Sequence, residues 1–355
     1  MPTNNIRFQD KKIGIVKTTA WGTATEPSTG NRFPLVAFTP GAVNFETYIN
    51  SDESGISMPT CKYNLYQTQV NLSGSMKFRY EGGEIPLACA FGYYDVGTPP
   101  ESGVVRHEYT WNSTLTDAID SLLHTIAWDE GTEVKVIPSV VLSNLTIGND
   151  SGYNLGMEFI GDKISISGYS SPLGVTSTSP CGEGLFKHSQ LQIRMNSQSG
   201  GALSSGDVLT NISSCQIIFS RGLEALAQSA GSDSVAKPEE NLNGNIVVNL
   251  TFSKKTDFSA GIFAQFVANP PGYYKMDFTW TGETISGKTS AYSFTLSLPK
   301  VTIDSIDYAS ATPTETTASF SCMLPSSAPT GMSSIWPTAV LINTTTGLSD
   351  YPSAT

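Results

Sequence analysis

The chain has 355 residues, with 39% hydrophobic and 14% charged side chains and a formal charge of −11. That length is ample for a packed core without disulfides or metal, and 10% aromatics with regular apolar alternation exclude a disordered chain. Charge lies well below the about 25% of ordinary globular chains, so Ser, Thr, Asn and Gly must wet much of the surface. The acidic balance excludes a basic nucleic-acid groove as the dominant surface, because phosphate binding needs clustered Lys and Arg.

The opening MPTNNIRFQDKK has no apolar signal core, so no export signal is expected there. No run of eighteen apolar residues predicts a membrane span. The five cysteines, Cys61, Cys89, Cys181, Cys215 and Cys322, are far apart and form no C-x-x-C or C-x-x-H pair. A zinc site is not expected, and an odd count fits free thiols in a reducing compartment.

Taken in chain order, short alternating segments are separated by Gly, Pro, Asn and Asp turns and predict strands. They fall at 63–66 with 70–72, 75–80, 133–137, 140–147, 163–167, 191–195 and 215–219. The second half continues at 245–252, 273–280, 292–298 and 318–323. Residues 84–91 (EIPLACAF) and 258–267 (FSAGIFAQFV) predict two short helices. Residues 114–128 suit either a helix or a hairpin arm. The stretches 170–183, 197–207 and parts of 311–334 predict long polar loops, which are uncommon in a monomeric domain unless they serve a purpose.

An internal echo runs through the chain. VNLSGSMKFRYEGGEIPLACAFG (70–92) and ENLNGNIVVNLTFSKKTDFSAGIFAQFVA (240–268) both read Asn-Leu-x-Gly, an alternating strand, a polar turn and a small-residue apolar helix. Cys61 and Cys215 open the preceding strands, and strands ending at Trp111 and Trp280 follow. Shared order predicts one unit used twice.

Chemistry is sparse. His107, His124 and His188 have no second ligand at H-x-x-x-H or H-E-x-x-H spacing, so each reads as a strand or turn histidine. Nucleophile elbows, phosphate loops and dinucleotide fingerprints are missing. Carboxylate pairs such as Glu81 with Glu84, or Glu239 with Glu240, sit on predicted turns as solvated faces. The sequence therefore names no catalytic, cofactor-binding or metal residue, no cofactor is expected, and the chain reads as not an enzyme.

The segment KKIGIVKTTAWGTATEPS, with Lys17, Thr19, Trp21, Gly22, Thr23 and Ala24, resembles the opening of siphophage tail tube (major tail) proteins. Residues 74–92 resemble the same family's strand-then-helix block through Tyr80, Leu87, Ala88, Ala90 and Gly92. Ile85-Pro86 departs from it in a way that shortens or kinks the helix start. Further similarity runs through 107–109, 124–131, 135–147, 298–303 and 340–343 with Tyr351, and the family reading makes 114–128 mainly loop plus strand. The resemblance implies a mainly β fold of two tandem tail-tube β-sandwich or barrel repeats, 1–170 and 171–355, each with a short flanking helix and the second carrying C-terminal strands. It implies a structural virion protein of a bacteriophage tail, assembled in the host cytoplasm. Its subunits would stack as rings into a negatively charged conduit for DNA ejection. The implied partners are other copies in trimeric, pseudo-hexameric rings (alternatively hexameric ones), a tape measure protein in the lumen, tail terminator and tail tip proteins, and passing DNA bound without sequence specificity; no membrane is implied. A β-sandwich adhesin or carbohydrate-binding protein is the alternative.

Overall fold

The computed structural model describes residues 12–28, 33, 35, 37–41, 45–50, 61–67, 69–111, 122–149, 153–171, 173–174, 184–224, 236–240, 244–253, 266–267, 272–307, 315–348 and 351, with 45–50, 61–67, 149 and 240 described by backbone alone. The first half holds β1 (Ile13–Lys17), β2 (Ala37–Thr39), β3 (Phe45–Asn50), β4 (Cys61–Gln67) and β5 (Val70–Lys77). The helix α1 (Glu84–Phe91) follows, then β6 (Gly92–Gly97), β7 (Val105–Trp111), β8 (His124–Asp129), β9 (Val134–Asn149), β10 (Tyr153–Gly161) and β11 (Ser165–Ile166). The second half holds β12 (Leu191–Ser197), β13 (Ile212–Ser220), β14 (Leu223–Glu224), β15 (Glu239–Glu240), β16 (Asn245–Phe252), β17 (Tyr273–Thr284), β18 (Ala291–Asp307), β19 (Thr316–Cys322) and β20 (Thr338–Asn343).

The chain is mainly β, and sixteen of these strands share one antiparallel sheet with the path β2-β5-β10-β9-β13-β16-β19-β18-β20-β7-β6. Off that path, β1 pairs with β8 and β8 with β9, while β12 pairs with β17 and β17 with β18. β11 lies on β9. Alternation explains why these segments are strands. In β16, Ile246, Val248, Leu250 and Phe252 are buried while Asn245, Val247, Asn249 and Thr251 are half-exposed, as period two requires of a strand with one wet face.

The two longest strands, β9 and β18, each change partner partway. β9 pairs first with β8, through Ile126↔Ile137 and His124↔Val140, and then with β10, through Leu142↔Phe159 and Asn144↔Glu158. β18 pairs first with β17, through Met276↔Leu298 and Tyr274↔Val301, and then with β19, through Ile303↔Phe320 and Ser305↔Ser319. Each partner change is framed by two bulges. The first sets Pro138-Ser139 against Thr125, and in the other strand Pro299-Lys300 against Lys275. The second leaves Ser143 and Asp304 as extra residues. A bulge bends a strand and tolerates a proline that the ladder would otherwise reject. Both strands are therefore longer than their prolines suggest: the expected breaks after 137 and after 298 are bends in continuous strands.

The expected helix at 84–91 forms as α1, from Glu84 to Phe91. Gly83 is its N-cap and Pro86 stands in the first turn, where the missing N–H has no intrahelical acceptor to lose. At its far end Arg221, which follows β13, donates Nε to the carbonyls of Cys89 (3.1 Å) and Ala90 (3.2 Å). The predicted helix at 258–267 falls almost wholly outside the described residues. Of 114–128, the part from His124 is strand β8, and residues 112–121 lie outside the described residues. Residues 198–204, within the expected 197–207 loop, are irregular up to a short 3-10 turn at Ser205–Asp207. There Asp207 Oδ2 accepts from the Ser204 backbone N–H at 2.7 Å.

One hydrophobic cluster runs from Ile13 to Leu341 and takes in both halves. Phe78, just past β5, packs against Phe186 (ring centroids 4.9 Å) and Phe294 of β18 (5.1 Å). Trp280 of β17 meets Tyr153 of β10 edge-on at 5.1 Å. Each such ring contributes about 1.5–3 kcal/mol by burial, so the core binds the halves to each other.

Candidate functional surface

The three histidines show what the interior can and cannot do. His107 is fully buried; its Nε2 lies 2.8 Å from Asn343 Oδ1 and its Nδ1 2.9 Å from the Tyr94 hydroxyl. Asn343 in turn donates Nδ2 to the Tyr80 carbonyl at 3.1 Å and to Glu84 Oε1 at 2.5 Å. An amide that donates from Nδ2 must accept at Oδ1, so His107 donates from Nε2 and accepts at Nδ1. His188 bonds the Ile212 carbonyl from Nε2 at 2.7 Å and the Tyr153 hydroxyl at Nδ1, 3.1 Å away. His124 donates Nδ1 to the Leu122 carbonyl at 2.9 Å and accepts from the Tyr351 hydroxyl at Nε2, 2.5 Å away. Both nitrogens of every histidine are engaged by groups of the chain itself.

Sequence spacing did not bring Cys89 and His124 together, but the structure does, with the sulfur 3.7 Å from Nδ1. A nucleophilic pair needs a thiolate beside an imidazolium. Burial drives both groups the other way, raising the Cys89 thiol to about 12 and lowering His124 to about 4. At neutral pH the pair is uncharged and packs as core. Among the described residues, no group of three or more His, Cys, Asp or Glu side chains is placed to hold a metal ion. No helix among them is long and apolar enough to cross a membrane.

The feature that stands out is a surface. The outward faces of β5, β10, β9, β13, β16 and β19 line up across the sheet in register: Ser75 opposite Gly156, Gly156 opposite Thr146, Thr146 opposite Ile218, Ile218 opposite Val247, and Val247 opposite Ser321. An open groove of about 800 Å³ lies over the neighbouring rows, and its lining holds Ser, Thr, Asn, Gln, Gly and Lys77 but no aromatic ring. At a strand spacing of about 4.8 Å this face is roughly 25–30 Å across. Its hydrogen bonds are mostly side chain to side chain along the rows, as in Asn249 to Gln216 (3.2 Å), Thr251 to Thr317 (3.1 Å) and Asn144 to Glu158 (2.7 Å). The charged residues on it are Lys77 and Glu158, and the adjoining end of β18 adds Lys300, Asp304 and Asp307. A broad, wet, weakly acidic wall without stacking rings is poor at gripping a sugar or a polyanion.

No protein-family model matches this chain, and no curated protein matches it.

Proposed function

We propose that the chain is a structural subunit of a siphophage-type tail tube. It assembles into stacked rings around a conduit for DNA, and two tandem tube repeats, 1–170 and 171–355, give a trimeric, pseudo-hexameric ring. The observation that carries this reading is the matched register of β9 and β18. A constant offset of 161 residues superposes Pro138 on Pro299, the bulged Ser143 on Asp304, and the pairs on either side of each bulge. The same scheme extends outward. β1 on β8 answers to β12 on β17, β10 on β5 to β19 on β16, and β11 on β9 to β20 on β18. The chance of one common strand-turn-helix unit recurring does not account for two bulges and five pairings in the same order, which is what a duplicated unit supplies. The family resemblance around Lys17–Ala24 and 74–92 then says which duplicated unit it is.

The polar sheet face supports the conduit role. Two lysines, Lys77 and Lys300, against three carboxylates offer DNA no cluster of cations, and hydroxyl and amide side chains hold water rather than phosphate. The wall would carry a passing duplex without binding its sequence. The hairpin β6–β7 docks on β20 through Tyr109↔Ala339 and its neighbours, which ties the first repeat to the end of the second.

Negative-stain microscopy of the purified full-length protein tests the reading. Rings or tubes with three chains per ring are expected. A monodisperse monomer at high concentration that binds glycans would overturn it in favour of an adhesin, and six full-length chains per ring would sink the trimeric form.

A further inference from the structure

In β9 the stretch Asn144 to Gly148 has neighbours on both edges. β10 lies on one side and β13 on the other, the latter through Asn144↔Ser220 to Gly148↔Gln216. The 161-residue offset carries the start of that stretch to Ser305. Residues 303–307 of β18 pair with β19 on one edge, and their other edge has no strand among the described residues, since β17 reaches only as far as Thr302 and β20 only as far as Ser297. Asp304, Ser305 and Asp307 are exposed there. Such an edge presents free N–H and C=O groups that a folded chain ordinarily covers or blunts.

The missing neighbour has an identifiable counterpart. β13 is the strand of the main sheet that precedes β16, with only the separate β14–β15 pair between them, and it pairs with β16, which answers to β5. The strand before β5 is β4, whose pairing among the described residues is with β3, outside the main sheet. The edge of β5 that would correspond to the β13 side of β16 carries only the three residues of β2, at Ser73–Ser75. Within one chain, then, the first repeat is joined to the second by β13 lying on β9, and among the described residues no strand fills the equivalent joint after the second repeat.

We infer that β4 of a second copy pairs antiparallel with the free edge of β18 from Ser305 onward, so that the joint between copies repeats the β9–β13 joint inside each one. This rests on the tube-subunit reading and names the strands that carry it. The occupant is a copy of this chain because the chain itself supplies one open edge and one strand of the type that fills it. Donor and acceptor differ, so the contact is head-to-tail, the kind that closes into a ring when the rotation permits. Backbone hydrogen bonds supply most of the attraction, as in other cases of strand addition.

Two measurements on the full-length protein test it. In the wild-type protein, hydrogen exchange of peptides covering 61–67 and 303–307 is followed before and after assembly, and both are expected to slow sharply on assembly. In the second, chains carrying Asp307→Cys are mixed with chains carrying one added cysteine along β4 (Lys62→Cys to Gln67→Cys) or along β3 (Tyr48→Cys), assembled and oxidised, and the new disulfides are told from those of the five native cysteines by peptide mapping. Disulfides are expected between position 307 and alternate β4 positions, and not with β3. Assemblies in which residues 303–307 keep exchanging freely, or in which position 307 bonds to a strand other than β4, overturn this joint and leave the tube reading standing. Wild-type protein that never assembles overturns both.

Discussion

Pro138 and Pro299 stand at the same step of the two longest strands, each in a bulge opposite a buried side chain of the preceding strand, Thr125 for one and Lys275 for the other. The two buried residues do similar jobs by different chemistry. Thr125 donates Oγ1 to the Pro138 carbonyl at 2.7 Å and accepts from the Thr25 backbone N–H at 2.9 Å. Lys275 donates Nζ to the carbonyls of Gly200 and Thr330, each at 2.9 Å. In both cases a bulge turns a polar group toward the interior, and that group pins a neighbouring loop, so the same bend is held by different residues.

Tyr80 is clasped by two glycines, which gives a sharp packing test. A Cβ on Gly184 would lie 2.1 Å from the ring, and one on Gly282 2.5 Å from it. The ring cannot retreat, because it is buried, stacks on Tyr292 at 4.7 Å and receives hydrogen bonds at its hydroxyl from Gln190 and the Glu283 backbone N–H. Gly184→Ala and Gly282→Ala are each expected to cost about 1–3 kcal/mol through overpacking. Gly201→Ala, with nothing within 4 Å of the added carbon, should be close to neutral. Urea unfolding of the three variants decides it, and equal midpoints would refute the clasp.

Acid should loosen the fold through His124. Burial holds its imidazole at about 4, while the unfolded residue takes up a proton near 6.5. Between those values the unfolded chain binds more protons than the native one, so stability is full above about pH 6.5 and falls as pH drops towards 4. The difference corresponds to roughly 3 kcal/mol at most. His124→Gln is expected to flatten this part of the curve, as read from denaturant midpoints between pH 4 and 7. An unchanged slope would assign the acid sensitivity to other groups.

Arg221 supplies a charge that α1 lacks in its own last turn. It is 2% exposed, bonds two carbonyls at the helix end and lies over the Trp111 ring at 5.3 Å. Charge-assisted hydrogen bonds of this kind contribute about 1.5–3 kcal/mol, and a cation at a helix C-terminus adds to that. Arg221→Ala should therefore lower stability by about 2–4 kcal/mol. Arg221→Lys, which keeps the charge and loses the planar fork, should fall between. Thermal melts followed by Trp fluorescence would report both, because the residue over the Trp111 ring is changed in each.

Much of the fold could be read from local pattern, and the failures have physical causes. Helix α1 was legible because EIPLACAF is small and apolar between two glycines, and β16 because its alternation is unbroken. The strands around Pro138 and Pro299 were cut short because proline removes a ladder donor, and a bulge that absorbs the loss has no sequence mark of its own. In sequence, the expectation of a repeat rests on Asn-Leu-x-Gly and on Trp111 with Trp280. The register instead matches Ile137-Pro138-x-Val140 with Leu298-Pro299-x-Val301, and it places Trp111 in the β6–β7 hairpin, which has no counterpart before β17 among the described residues. β10 escaped notice because Gly156 and Gly161 dilute its pattern. Contacts such as Arg221 with α1, or Tyr351 with His124, join residues more than 130 positions apart, and no local spacing records them.

Asn343 is the polar keystone between the chain's two ends. It is fully buried, accepts from His107 Nε2 and the Thr345 backbone N–H, and donates to the Tyr80 carbonyl and Glu84. Glu84 also accepts from the Gly82 backbone N–H at 2.8 Å, so one side chain organises β7, β20 and the start of α1. Asn343→Ala would remove the partner of His107 Nε2, of Glu84 Oε1 and of the Tyr80 carbonyl in the interior, each costing about 1–3 kcal/mol. Asn343→Asp is isosteric but replaces the donor facing Glu84 with a second carboxylate. The alanine variant is expected to lose at least about 3 kcal/mol. The aspartate variant should lose a comparable amount at neutral pH and recover as pH falls and one carboxyl of the pair takes up a proton. Denaturant midpoints of both at pH 5 and pH 8 would check this. An aspartate variant equally stable at the two pH values would mean that the amide does not face Glu84 across a short hydrogen bond, and that the C-terminal strand is held by its ladder alone.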